Sequence, residues 1–142
     1  APGVDWEGFT FGLNGVQTDF MWLDAIDTDS ADVDVDSSNA CYCSSSPESC
    51  LIPVGPLALP PSATVLNYGQ ALFEGLKAVR RSDGSIIVFR PDRNALRMQT
   101  GAEKMLLPPV PKDVFLAAVD AVARANARWV PPSSKGALYL RP

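Results

Sequence analysis

The chain has 142 residues, 46% of them hydrophobic, and a formal net charge of −4. That is about the length of one domain, with enough apolar residues for a core and no run approaching the roughly 18–20 of a membrane span. It holds no histidine, which excludes a Ser-His-Asp triad and most catalytic zinc sites, and its overall acidity argues against nucleic-acid binding, which needs clustered Lys and Arg.

The charges are divided along the chain. Residues 1–60 carry ten acids and no Lys or Arg, whereas residues 61–142 hold all 12 basic residues, from Lys77 onward, and six acids. The basic part can hold a small anion such as a phosphate or a carboxylate. The plainer alternative is that these residues keep helix faces in water. No basic-then-apolar segment opens the chain, so no signal peptide is read there. Beginning at Ala1 without a Met, the chain is expected to be processed or a fragment.

In residues 1–26, Phe9 and Phe11 alternate, Asn14-Gly15 is a turn dipeptide, and Thr18–Leu23 is rich in β-formers. A hairpin of N-terminal strands is predicted. Residues 27–53 differ, being rich in Asp, Ser and Cys without hydrophobic periodicity. They are expected to form a loop or insertion, disordered because too little apolar area is available to offset ordering entropy. Cys41, Cys43 and Cys50 are an odd number in a short stretch, which is no disulfide framework. Three thiols without a fourth ligand make no ordinary zinc pattern either, so no metal is expected.

Residues 54–142 read as one small α+β unit. Pro53–Ser62 is Pro-rich and extended. Ser82-Asp83-Gly84-Ser85 is a turn between Gly75–Arg81 and Ile86–Arg90, which predicts a second hairpin. Pro91-Asp92 opens a helix with Ala95, Met98, Ala102 and Met105 on one stripe, and Pro108 is expected to end it. Pro111-Lys112-Asp113 opens another, with Phe115, Ala118, Val119, Val122 and Ala125 on one face and a stop at Trp129–Pro132. A strand follows at Ala137–Leu140. The predicted class is α+β, an antiparallel sheet with two helices. Ending at Arg141-Pro142, directly after a strand, the chain is expected to be truncated before a further domain.

One segment carries a resemblance. Leu66-Asn67-Tyr68-Gly69-Gln70-Ala71-Leu72-Phe73-Glu74-Gly75-Leu76-Lys77-Ala78 is similar to a block of the branched-chain amino acid aminotransferases, fold-type IV pyridoxal-phosphate enzymes. Phe89-Arg90-Pro91, Asn94–Met98, Trp129–Pro132 and Gly136–Pro142 follow in that family's order, and Phe11–Leu13 and Thr18–Met21 resemble its N-terminal strands. Several ordered blocks are far more specific than a lone motif. The resemblance covers most of the chain outside residues 27–53.

The resemblance implies the small N-terminal domain of that architecture, with pyridoxal 5'-phosphate as cofactor. It implies branched-chain amino acids and glutamate or 2-oxoglutarate as substrates, and a homodimer. Arg97 matches the Arg that holds the cofactor phosphate, a role that suits a permanently charged guanidinium fork; without the resemblance it reads as a solvent-facing helix residue. Phe11, Tyr68, Phe73 and Tyr139 match substrate-pocket walls, although core packing is the commoner fate of an aromatic. Arg141, two residues beyond Tyr139 and so on the same strand face, matches a pocket Arg able to pair with a distal carboxylate; a surface ion pair is its alternative. Glu74 and Lys77 lie in the same block, and Lys77 is read as structural. None of Lys77, Lys104, Lys112 and Lys135 matches the Schiff-base Lys, which the resemblance places outside this chain, so no catalytic residue is assigned in it. Two other readings stay open: a non-catalytic binding or subunit-interaction fragment, and a sister enzyme such as a D-amino acid aminotransferase or an aminodeoxychorismate lyase. The compartment is left open among cytosol, mitochondrion and plastid.

Overall fold

The computed structural model describes residues 4–9, 17–24 and 50–142. Strands β1 (Phe20–Trp22) and β2 (Leu51–Pro53) pair antiparallel. A short helix α1 (Thr64–Asn67) leads to an extended segment and then to strand β3 (Leu76–Arg80). Strand β4 (Ile86–Val88), helix α2 (Pro91–Lys104), helix α3 (Lys112–Ala125) and strand β5 (Leu138–Leu140) follow. The order β4-β3-β5, antiparallel throughout, gives an α+β fold with α2 and α3 packed on each other and covering one face of the sheet.

Period-two alternation decides which side of the sheet is covered. Leu76 and Ala78 of β3 and Leu140 of β5 are buried, with Ile86, Val88 and Leu138 packed against them. They meet Ala95 from α2 and Phe115, Val119 and Ala123 from α3. Small Ala side chains let the helices approach closely, and Phe115 supplies the bulk. Burying a side chain of that size is worth about 1.5–3 kcal/mol.

The hairpin β3–β4 forms where turn chemistry predicts it. The Arg81 N–H donates to the Ser85 carbonyl at 2.8 Å, and the Gly84 N–H to the Arg81 carbonyl at 3.0 Å. Gly84 has φ +86°, which only glycine adopts without strain. The Asp83 carboxylate accepts from the Ser85 N–H at 2.9 Å and its hydroxyl at 2.6 Å, closing the turn.

Helix α2 ends earlier than its proline predicts. Leu106 turns left-handed at φ +54°, and the Leu107 N–H reaches back to the Ala102 carbonyl at 2.9 Å. This is a Schellman closure in which Leu occupies the position usually given to Gly. The helix thus stops at Lys104, ahead of Pro108, because its last carbonyls are satisfied by that local turn. Helix α3 ends at Ala125, and a 3-10 turn, Ala127–Trp129, precedes the expected proline stop.

One expectation needs correction at the N-terminal side. The turn of the first predicted hairpin, Asn14-Gly15, lies outside the described residues, as does Phe11; within the described residues β1 pairs with β2. The composition of residues 27–53 predicts loop throughout, yet Leu51–Pro53 form β2, because Leu51 and Ile52 pair with Trp22 and Met21. Residues 27–49 of that stretch lie outside the described residues. Cys50 is buried and disulfide-bonded, which the odd cysteine count does not suggest. Among the described residues, no helix is long and apolar enough to cross a membrane.

Asn126 joins β1 to helix α3. It is 1% exposed, at the C-terminus of α3. Its Oδ1 accepts from the Asp19 and Phe20 N–H groups at 3.0 Å each, and its Nδ2 donates to the carbonyls of Phe20 at 2.9 Å and Val122 at 3.0 Å. All four of its hydrogen-bonding positions are therefore used. Arg80 makes a parallel tie, donating to the carbonyls of Val130, Gly84 and Ala127 at 3.2, 3.1 and 2.6 Å. Asn126→Ala leaves three backbone groups of Asp19 and Phe20 without their partner, at about 1–3 kcal/mol for each that stays dry. Urea denaturation should show a destabilisation of roughly 3 kcal/mol; an unchanged midpoint would mean that β1 is held some other way.

Candidate active-site wall

The segment from Gln70 to Ala78 sets out the site. Inward and outward residues alternate along it without a break: Gln70, Leu72, Glu74, Leu76 and Ala78 are covered, while Ala71, Phe73, Gly75 and Lys77 are exposed. Its first part runs antiparallel to α2. The Gln70 amide donates to the Met105 carbonyl at 3.0 Å, Leu72 lies over Gly101, and Glu74 meets Asn94 and Arg97. An extended chain rises about 3.3 Å per residue and a helix 1.5 Å, so each two-residue step of the strand matches about one helical turn.

Glu74 is a buried carboxylate, 5% exposed. Arg97 grips it with two parallel bonds, Nε to Oε1 at 2.6 Å and Nη2 to Oε2 at 2.5 Å. The Asn94 amide adds a third at 2.8 Å. The Glu74 N–H donates to the Pro142 carbonyl at 2.8 Å, which extends the β3–β5 pairing past Leu76. The Arg97 hydrogen bond holds the Glu74 carboxyl below its ordinary 4.5; burial pushes upward and is outweighed, with Asn94 and the Gly75 backbone helping. Arg97 is raised by the same pairing. Its side chain is 70% exposed, and among the described residues its Nη1 has no partner. A fork fixed at two nitrogens with the third turned to solvent can receive one anionic oxygen.

The outer face of the sheet carries the other matched residues. Tyr139 stands opposite Lys77, and its ring leans over the diagonal neighbour Gly75. Tyr139 is 46% exposed, Phe73 more so, and Arg141 continues the same face. Tyr68 is far out in solvent at the C-terminal end of α1. The structure therefore brings Phe73, Tyr139 and Arg141 to one face and sets Arg97 across the segment on the helix side, with Glu74-Gly75 between them; it does not bring Tyr68 into that cluster. A hollow of about 410 Å³ between β1, α3 and β5 borders Tyr139 and Arg141 but includes neither Arg97 nor Phe73. The matched residues thus form an open wall and not a closed cavity.

Sequence reasoning named Arg97 but missed what holds it. Asn94 and Glu74 stood out only as members of the block, and Gly75 had no role. The unbroken alternation from Gln70 to Ala78 was the available signal, since an acid in phase with Leu72 and Leu76 must face inward and needs a partner.

No family model matches the chain. In fold, the chain is similar to the branched-chain amino acid aminotransferase of Thermobaculum terrenum in its PLP-form, with TM-score 0.50 and 20% identity over 64% of this chain and 28% of that one. The fold is thus that of a part of a fold-type IV aminotransferase. The sequence is more specific. Over 98% of its length the chain is 44% identical to the chloroplastic branched-chain-amino-acid aminotransferase 2 of Arabidopsis thaliana, covering 32% of it. It is 41% identical over 98% of its length to a methionine aminotransferase of the same plant, covering 35%. The chain is similar over nearly its whole length to aminotransferases of this branched-chain group, and it spans about a third of the length of the curated relatives it matches.

Because the folded carboxyl of Glu74 titrates below 4.5, its contribution to stability is present above that pH and is lost as pH falls through the lowered value. Arg97→Ala should therefore destabilise the chain by about 1–3 kcal/mol near pH 7. That gap should narrow as pH falls through the lowered value, where the acid becomes neutral. Urea titrations at pH 7 and at successively lower pH test this, and a gap independent of pH would show that the ion pair is not what joins the segment to α2.

Proposed function

We propose that this chain forms one wall of the active site of an aminotransferase that passes the amino group of Leu, Ile or Val to 2-oxoglutarate, with pyridoxal 5'-phosphate as cofactor. The observation that supports it most directly is the Arg97 fork: braced on buried Glu74, exposed, and with Nη1 left over for a phosphate oxygen. Such a donor set fits one contact to the cofactor's phosphate. It does not fit a complete phosphate site, because Glu74 already balances the charge of Arg97. Pyridoxal phosphate, when bound, would act as an electron sink for removal of the amino acid's Cα proton.

The chain's own residues bind and orient. Phe73 and Tyr139 offer aromatic surface to a hydrocarbon side chain, each buried methylene being worth about 0.8 kcal/mol. Phe11 and Tyr68 are assigned to the same pocket by resemblance, Tyr68 from a more distant position. Arg141, on the face of Tyr139, pairs with the distal carboxylate of glutamate or 2-oxoglutarate. Methionine, the substrate in the name of one relative, also carries an apolar side chain and is the second substrate to test.

No lysine of this chain is assigned to the covalent bond with the cofactor. Lys135 is paired with Glu7 at 2.9 Å, Lys104 lies in the last turn of α2, and Lys112 opens α3. Lys77 shares the outer face with Tyr139 and is the informative control. The reacting lysine is assigned to the part of the family's length that this chain does not span.

Two measurements test the reading. Titrating the chain with pyridoxal phosphate, then trapping with borohydride and mapping by mass spectrometry, should yield no stoichiometric adduct on a single lysine; one on Lys77 would make that residue the cofactor's anchor and reverse its structural assignment. In the protein that carries this chain together with the rest of the family's length, Arg141→Ala should raise the KM for 2-oxoglutarate roughly 10- to 100-fold, the worth of a charge-assisted hydrogen bond. The KM for leucine should move little. An equal rise for both substrates would remove Arg141 from carboxylate recognition.

A further inference from the structure

We propose that Gly75 is a positioning residue for Tyr139: the missing side chain at 75 is the seat on which the tyrosine ring rests, and it sets where the phenol stands on the wall. The inference builds on the assignment of Tyr139 to the substrate pocket, but its physical content is independent of it.

The geometry is specific. A Cβ placed on Gly75 would lie 2.8 Å from the Tyr139 hydroxyl oxygen, 3.2 Å from Cε2 and 3.4 Å from Cζ. The first distance is below any ordinary contact. Gly75 is not among the residues with positive φ, so its backbone suits any amino acid and conformational freedom does not explain the glycine. Close approach of the ring does. By contrast, Gly69 and Gly84 have positive φ and open space around them, so they are glycines for backbone reasons.

Register explains why this pair meets. Lys77 faces Tyr139 directly, and Gly75 is the next residue on the same face, the diagonal neighbour that a long aromatic side chain reaches. Leaning that way carries the phenol toward the end of the strand where Glu74 holds Arg97 and where Arg141 lies. Glu74 and Gly75 therefore act back to back. One fixes the guanidinium on the helix side, and the other makes room for the phenol on the outer side. A larger residue at 75 would tip the ring away and widen the distance between the two matched groups.

The test is a coupling measurement on the chain itself, without cofactor or substrate. Gly75→Ala, Tyr139→Phe, Tyr139→Ala and the double variants are made, and thermal unfolding is followed for each. Gly75→Ala alone should lower Tm by roughly 2–8 °C, the shift that goes with about one lost contact in a domain of this size. In the Tyr139→Phe background the loss should shrink, because the 2.8 Å clash is gone, and in the Tyr139→Ala background it should vanish. Should Gly75→Ala fail to fold, recovery of a folded chain in the Tyr139→Ala double variant is the expected result. A loss equal in all three backgrounds, no loss in any, or double variants as unfolded as the single one would each overturn the proposal. Failure of the transaminase reading would appear elsewhere, in the cofactor and KM experiments, and would leave this coupling intact.

Discussion

A single buried carboxylate organises the functional end of the molecule. Glu74 is enclosed where the extended segment, α2 and the C-terminal end of β5 converge, and each supplies a bond to it or takes one from it. An ionised acid in such a place is costly unless its lone pairs are filled. They are filled by Arg97 and Asn94, two residues three apart on one helical face. Arg97 stays largely in water, so only one partner of the pair is desolvated, and the balance favours pairing more than in a fully buried ion pair. The same requirement that keeps Glu74 satisfied also aims the guanidinium.

From that point the strand's alternation does the rest. Residues in phase with Glu74 build the core, and those out of phase build the outer face. Leu76 and Ala78 belong to the layer that packs on Phe115 and Val119. Phe73, Gly75 and Lys77 turn outward beside Tyr139. A one-residue slip would exchange the two sets and place a lysine in the core, which is why register is so firmly specified. Arg80, the next residue of the inner set, ends the strand by capping carbonyls of the 3-10 turn instead of adding apolar area.

The β1–β2 pair depends on a different polar anchor. Asn126 offers an amide that mimics a neighbouring strand, donating and accepting with Phe20 as a backbone would. Arg128 reinforces the same place with a two-bond grip on Asp19. These contacts span more than 100 residues of sequence, and they bring Phe20–Trp22 beside the strand that carries Tyr139 and Arg141.

Much of this was legible without coordinates. Helices α2 and α3 follow from their apolar stripes and proline starts, and the β3–β4 hairpin from its Asp-Gly turn; all are local signals that neighbouring residues state by themselves. The ordered blocks around Tyr68–Lys77, Arg97 and Tyr139–Arg141 carried the resemblance to branched-chain aminotransferases and nominated the site residues. What local signals could not state were pairings between distant segments. Leu51–Pro53 look like the tail of an acidic loop until β1 is beside them. The early end of α2 depends on a left-handed Leu106, a conformation Leu does not announce. Asn94, Glu74 and Gly75 acquire roles only when α2 and β5 are packed on either side of the segment. Sequence alone therefore determined the elements and the chemistry available to them, because propensity and periodicity are local. Tertiary structure decided which acid holds which base and which glycine makes room for which ring, because burial and close approach are properties of segments brought together from far apart in the chain.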